Sequence, residues 1–287
     1  MTLPKNRVER QTMDIGFIGA GKVGFCLGQY FNEKGLRVVG YASKSPEPAQ
    51  EAANLVGGRY FSDSASLIEA ADLIFLTVPD GQIGPVFASL AGKKGKIFAH
   101  CSGSLSSDVL AGAKEAGAQA ISMHPLMAIS DKYRSKELLE GAFLAIEGDE
   151  PALTLVKDLV LSLGNETQTL DKSKKALYHC AASVVSNFAV ALAFLGEELL
   201  ASCGLSAANP ALLRLFLNNA KNIQAYGPVA ALTGPVERGD EATVANHLQV
   251  LSGEDKELYR LLAKKLIKVA SLKRPTQDYA PLAKILE

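Results

Sequence analysis

An α/β fold, with a doubly wound parallel sheet followed by an all-helical second domain, is what this sequence predicts, and three observations carry it. A glycine-punctuated strand, turn and helix opens at Met13; apolar strands and amphipathic helices then alternate; and from about residue 170 strand signals stop while helical spacing continues. Repeated alternation of this kind is the pattern of parallel strands joined by right-handed crossovers.

The opening element runs apolar from Ile15 to Ile18 and breaks into Gly19-Ala20-Gly21-Lys22-Val23-Gly24, which has G-x-G-x-x-G spacing. An amphipathic run through Phe31 and a second strand, Leu36 to Tyr41, follow. In this spacing the first glycine takes turn angles closed to other residues, the second lets main chain approach a pyrophosphate, and the third lets helix pack close on strand. A diphosphate would rest on the N–H groups at the helix start. The stretch therefore predicts a Rossmann-like dinucleotide site at Gly19, Ala20, Gly21, Lys22, Val23 and Gly24, the alternative being a glycine-rich turn with no ligand. An NAD enzyme usually carries an acid at the end of the second strand to bind the ribose 2′-hydroxyl. Here that place reads Ala42-Ser43-Lys44-Ser45. Two hydroxyls and an ammonium suit a 2′-phosphate, so NADP is the expected cofactor, unless Ser43 to Pro48 is merely a polar turn.

Further along, Pro48 to Gly57 reads as helix, Tyr60 to Ser62 as a short strand, and Ser64 to Ala70 as a helix with a polar cap. Leu73 to Val78 is an apolar run suited to a strand buried on both faces. It ends in Pro79-Asp80, where Asp80 can cap the next helix. Lys96 to His100, Ala118 to His124 and Ala142 to Glu147 read as three more strands. Ligands of such sheets bind beyond the carboxyl ends of the strands. Those ends carry Val78-Pro79-Asp80, His100-Cys101-Ser102-Gly103-Ser104 and Met123-His124-Pro125-Leu126. The helical part is read as Lys172 to Cys203, Asn209 to Tyr226, Asp240 to Ser252 and Glu254 to Leu272. The expected layout is a loose tail over residues 1–12, a nucleotide domain over 13–170 and a helical substrate and dimerisation domain over 171–287.

Composition narrows the function. With 30 basic and 30 acidic residues among 287, and no basic run, the chain lacks the clustered charge that nucleic-acid binding needs. The first dozen residues have no apolar core and do not read as a secretory signal. Cys180 to Leu200 is apolar but interrupted by Ser183, Ser186, Asn187 and Glu197-Glu198, which predicts a buried helix and no membrane span. Cys26, Cys101, Cys180 and Cys203 are scattered without metal-ligand spacing, so no metal is expected and a reducing, cytoplasmic setting is.

The first helix of the second half carries Lys175, His179, Ser183 and Asn187, each four residues apart and so on one face. Polar groups are costly to bury unpaired, so this stripe needs a site. The two-domain layout, the V-P-D after the fourth strand and the K-x-x-x-H then Asn helix resemble the superfamily of pyrroline-5-carboxylate reductase, ketopantoate reductase, the β-hydroxyacid dehydrogenases and the C-terminal domain of 6-phosphogluconate dehydrogenase. Ser122 to Leu126, Lys175 through Asn187, and Thr233-Gly234-Pro235-Val236-Glu237-Arg238-Gly239-Asp240 are similar to a set of candidate NADP-dependent oxidoreductases. Those pair a Rossmann-like domain with a helical domain of unknown function. The resemblance implies a homodimer built through the helical domain. It supplies no substrate, and the last of these segments stands where pyrroline-5-carboxylate reductase has its proline-binding loop.

Reducing C=O or C=N requires a positioned nicotinamide, a donor for the growing negative charge and a proton. His179 is the expected acid, unless it is a core histidine bonded to a backbone carbonyl, with Lys175 one turn away to bond the acceptor oxygen or tune the imidazole, and Asn187 to orient substrate. His124 contacts substrate or nicotinamide, or else bonds loop backbone. Val78, Pro79 and Ser102, with Gly103, are expected beside the cofactor, although Ser102 is equally readable as a cap. Ser104, Ser183 and Arg238 are expected at the substrate, Arg238 clamping a carboxylate or phosphate or else pairing with Asp240, itself read as a helix cap; His247 is expected on a helix surface. The expected function is an NADP-dependent oxidoreductase acting on a small anionic substrate, with a deazaflavin left open as redox partner. A non-catalytic NADP sensor engaging a partner is the alternative, and a methyltransferase using S-adenosylmethionine a third.

Overall fold

The computed structural model describes residues 13–133, 136–205 and 210–287; the expected tail over residues 1–12 and the helix start at Asn209 lie outside them. The nucleotide half comprises β1 (Ile15–Ile18), α1 (Lys22–Glu33), β2 (Val38–Ala42), α2 (Pro46–Leu55), β3 (Arg59–Phe61), α3 (Ser64–Ala70), β4 (Leu73–Leu76), α4 (Asp80–Ser89) and β5 (Ile97–His100). It continues with β6 (Gln119–Pro125), α5 (Lys136–Leu139), β7 (Phe143–Gly148), α6 (Ala152–Ser162) and β8 (Glu166–Thr169). Among the described residues helices alone follow: α7 (Lys175–Val185), α8 (Asn187–Ser202), α9 (Pro210–Ala231), α10 (Pro235–Arg238), α11 (Glu241–Val250), α12 (Gly253–Lys273) and α13 (Ala280–Ile285).

The strands form an eight-stranded sheet in the order β3-β2-β1-β4-β5-β6-β7-β8. Doubly wound topology follows from that order, with the reversal between β1 and β4. Strands β1 and β4 are buried on both faces: Ile15, Phe17, Leu73 and Phe75 enter one core cluster, and Ile18, Ile74 and Leu76 the other. Phe17 stacks on Tyr41 at 5.0 Å and on Phe75 at 5.3 Å, so aromatic rings fill the centre of the first cluster.

The sheet is mostly parallel, but β7 runs antiparallel to β6 and brings Glu147 opposite Ser122. Among the described residues the connection between these two strands holds only the single turn of α5, too short for a crossover helix. β8 was not expected at all. Its sequence, Glu-Thr-Gln-Thr, is polar and largely exposed at the sheet edge, so it carries no apolar alternation to read.

By its contacts the chain divides into residues 1–186 and 187–287, so α7 belongs to the first unit. The long helix expected from Lys172 breaks at Ser186, where φ −103° and ψ −74° depart from helical values. Asn187 therefore opens α8 in the second unit, and on α7 the stripe ends at Ser183. The core of the second unit lies among α10 to α13, around Val236, Val244, Leu248 and Leu282.

Within residues 172–202 an 18-residue window reaches a mean hydropathy of 1.6, as a membrane-crossing helix would by length and composition. The expected burial of Cys180 to Leu200 is not met, since α8 has no buried residue and Phe188, Val190 and Phe194 are exposed. Apolar spacing reports that a helix face favours an apolar neighbour; it does not require that neighbour to lie in the same chain.

Candidate active site

A groove of about 480 Å³ opens at the carboxyl ends of β1, β2 and β4. Gly19, Ala20 and Gly21 line it from the turn, Ser43 and Lys44 from the end of β2, and Val78 and Pro79 from beyond β4. Gly19 has φ +104°, and a Cβ there would stand 2.6 Å from the Thr77 carbonyl oxygen. At Gly24 a Cβ would meet Thr77 Oγ1 at 2.3 Å, so helix–strand contact demands glycine. Gly21 differs: its added Cβ would meet nothing of the chain nearer than 3.8 Å. The fold leaves that position room, as approach by a ligand would require.

No side chain caps α1 and no acid stands in its first turn, so the main chain of Lys22 and Val23 offers a positive helix end. Ser45 is the N-cap residue of α2. The acid that does line the groove, Asp63, is engaged elsewhere. It caps α3 by accepting from Ser66 N at 2.8 Å and Ser66 Oγ at 2.9 Å, which holds its carboxyl below the usual range. The β2 end is left with hydroxyls and the exposed Lys44 ammonium, which fit a 2′-phosphate and offer no acceptor to a 2′-hydroxyl in the manner of an aspartate.

From the groove wall the chain passes from Pro79 to Asp80. Asp80 is not the cap expected of it; it lies one residue inside α4, and its carboxylate accepts from Ser102 Oγ at 2.6 Å and Ser104 Oγ at 3.1 Å. Ser102 Oγ in turn accepts the Leu105 N–H at 3.1 Å, closing a turn. Gly103, between the two serines, abuts two imidazoles. A Cβ on it would lie 2.5 Å from His179 Cδ2 and 2.7 Å from His124 Nε2. The two rings stand 6.3 Å apart, edge to face.

His124 projects from β6, and its Nδ1 lies 2.8 Å from the Tyr178 hydroxyl. Burial lowers this imidazole to about 4, with the Lys175 ammonium and His179 adding to the effect. His100, fully buried, accepts the Ser102 N–H at Nδ1 and donates from Nε2 to Ser106 O; burial lowers it to about 4 as well. His179 has no hydrogen-bond partner among the described residues.

Lys175 is 2% exposed and hands its ammonium to Ser122 Oγ at 2.5 Å, with Glu147 Oε1 at 3.8 Å. Burial lowers its pKa below the usual lysine value, against the opposing pull of Glu147. Glu147 is itself buried and accepts from Ser107 N at 2.8 Å and Ser107 Oγ at 2.7 Å. The lysine thus anchors the start of α7 to β6 by its bond to Ser122 and to β7 by its charge facing Glu147.

The structure brings together Lys175, His179, His124, Ser102 and Ser104; Ser183 lies one turn beyond His179 on α7. Asn187 and Arg238 belong to the second unit. Arg238, 3.9 Å from Asp240, keeps an exposed side chain, while Asp240 caps α11 through Thr243 N at 3.0 Å. Its neighbour Glu237 is structural: it bonds Arg274 at 2.7 Å and lies 3.6 Å from Lys273, tying α10 to the end of α12. His247, on α11, bonds the Tyr259 hydroxyl at 2.8 Å.

Sequence reading missed Tyr178 and Glu147. A helix face alternates steps of three and four, so the three-residue step from Lys175 reaches Tyr178. An acid inside the apolar strand Phe-Leu-Ala-Ile-Glu-Gly must have a partner, which is the signal Glu147 carried.

Residues 1–125 match the model of a Rossmann-like domain, and residues 142–266 match a domain of unknown function, DUF2520. Comparison with curated proteins gives no match. Among solved structures, protein TM1727 from Thermotoga maritima is 29% identical, with 91% of this chain and 99% of that one covered and a TM-score of 0.72. BF3122 from Bacteroides fragilis, by name a candidate NADP oxidoreductase, is 26% identical, with 89% and 98% covered and a TM-score of 0.71. A reductive aminase from Aspergillus terreus, in complex with NADPH and ethyl-5-oxohexanoate, is 17% identical over 96% of this chain and 92% of that one, TM-score 0.61, a likeness of fold alone. The chain is thus a Rossmann-like domain followed by a DUF2520 domain.

Proposed function

We propose that this chain is an NADP-dependent oxidoreductase, moving a hydride between the nicotinamide and the C=O or C=N carbon of a small anionic substrate. The observation that carries the reading is the run from the groove wall at Pro79, through Asp80 and Ser102, to Gly103 with an imidazole on either side. The name of BF3122, an NADP oxidoreductase candidate, supports it. When bound, the dinucleotide supplies or takes the hydride.

The residues of the chain do the rest. Gly19, Ala20 and Gly21 receive the diphosphate, and Ser43, Lys44 and Ser45 the 2′-phosphate. Ser102 and Ser104, held by Asp80, keep Gly103 flush against the histidines so that substrate can approach the groove end. His179, whose ring nitrogens have no partner among the described residues, delivers the proton. His124 contacts the acceptor group. Lys175 works from behind, its fixed charge helping to keep His124 neutral. Ser183, one turn beyond His179 on α7, orients substrate. The protein works as a cytoplasmic homodimer joined through its helical domain, a reading supported by the apolar faces of α8 and α9.

His179→Ala tests the catalytic assignment. Turnover of NADPH with 2-oxo acids and cyclic imino acids should drop by about 100-fold or more, as expected for loss of a general acid, while NADPH affinity stays nearly unchanged. Equal loss of both would count against the role of His179, and tight binding with no oxidation by wild type would turn the reading towards a sensor.

A further inference from the structure

The Tyr178 hydroxyl has one hydrogen-bond partner among the described residues, Nδ1 of His124, at 2.8 Å, and its ring stands edge to face with the imidazole at 5.5 Å and 88°. The other ring nitrogen, Nε2, lies against Gly103 and has no partner among the described residues. A neutral imidazole has one protonated nitrogen, and the bond made by the first nitrogen decides the state of the second. Of the two arrangements, a phenol O–H donating to imidazole nitrogen pairs the better donor with the better acceptor. We propose that Tyr178 is the positioning residue of this site: its hydroxyl donates to His124 Nδ1, so that Nε2 carries the proton and presents a neutral N–H donor beside Gly103 to the oxygen or nitrogen of the acceptor bond.

Both partners stay neutral over the working range, since burial raises the Tyr178 phenol to about 12 and lowers His124 to about 4. The charged and titratable groups acting on His124 are Lys175 and His179 of α7, Asp80 of α4 and His100 of β5. A fixed neutral donor meets negative charge as it grows on the acceptor without giving its proton away. Delivery of the proton is left to His179. The inference rests on the oxidoreductase reading and assigns its two histidines different tasks.

The test is nitrogen-15 NMR of histidine-labelled protein saturated with NADP, with the signals of His124 identified by their loss in His124→Gln, alongside Tyr178→Phe. Wild type should show His124 as the single Nε2–H tautomer with a hydrogen-bonded Nδ1. In Tyr178→Phe the Nδ1 signal should move to the position of an unbonded nitrogen. With 2-oxobutanoate and 1-pyrroline-2-carboxylate as probes, kcat should fall about 10-fold while KM and NADPH affinity stay within about two-fold, because one preorganised donor has lost its orientation. A wild-type His124 protonated on Nδ1, or a Tyr178→Phe spectrum superposable on wild type, overturns the proposal, and the wild-type tautomer decides it even if the variant fails to fold. Failure of the oxidoreductase reading shows itself separately, as absence of NADPH binding or of turnover with either probe.

Discussion

His100 and His124 make the fold sensitive to acid in the range between pH 6.5 and 4. Each has a folded pKa near 4 against 6.5 for the free side chain, because burial penalises the imidazolium. Between those values the unfolded chain binds protons that the folded chain does not, so stability rises with pH across the window and is full above about 6.5. Lowering the pH from 6.5 to 4 should therefore cost a few kcal/mol. Urea midpoints measured along this range should fall progressively, and His100→Gln should flatten the slope; a midpoint constant down to pH 4 would contradict neutral burial. At this scale the glycine turn, the acid-free end of β2 and the pair His124 and His179 were legible in the sequence, because spacing and strand ends expose them. Tyr178 and Glu147 were not singled out, since their meaning depends on partners far along the chain: Tyr178 on His124, and Glu147 on Ser107 and Lys175.

Among elements, alternation of apolar strands and helices made the order from β1 to β7 readable, and left the direction of β7 and the polar edge strand β8 unread. Direction depends on what the connection can cover, and an edge strand has one side free of the sheet. The same limit explains α8. Its apolar spacing predicted burial, yet Val190 is 71% exposed and Phe194 60%, and Leu215 of α9 is 66% exposed. Large apolar side chains left this open on helices that pack together favour an interaction face. If that face joins two copies, sedimentation equilibrium should give twice 30.4 kDa, and Val190→Glu with Phe194→Glu should return the chain to one copy. A wild type that sediments at the single-chain mass would overturn dimerisation through the helical domain.

At the scale of the whole molecule, everything proposed for the histidines depends on a nucleotide occupying the groove at Gly19 to Gly21, with its 2′-phosphate at Ser43 and Lys44. Charge complementarity at that one place separates NADPH from NADH, because an ammonium pairs with a phosphate dianion and gains little from a hydroxyl. The most direct measurement is a fluorescence titration of the protein with NADPH and with NADH, repeated for Lys44→Asp. NADPH should bind at least about 10-fold tighter, equivalent to ~1.4 kcal/mol, with the preference lost in the variant. Binding of neither nucleotide would mean that the glycine turn serves only the packing of α1 on the sheet, and the oxidoreductase reading would fall with it.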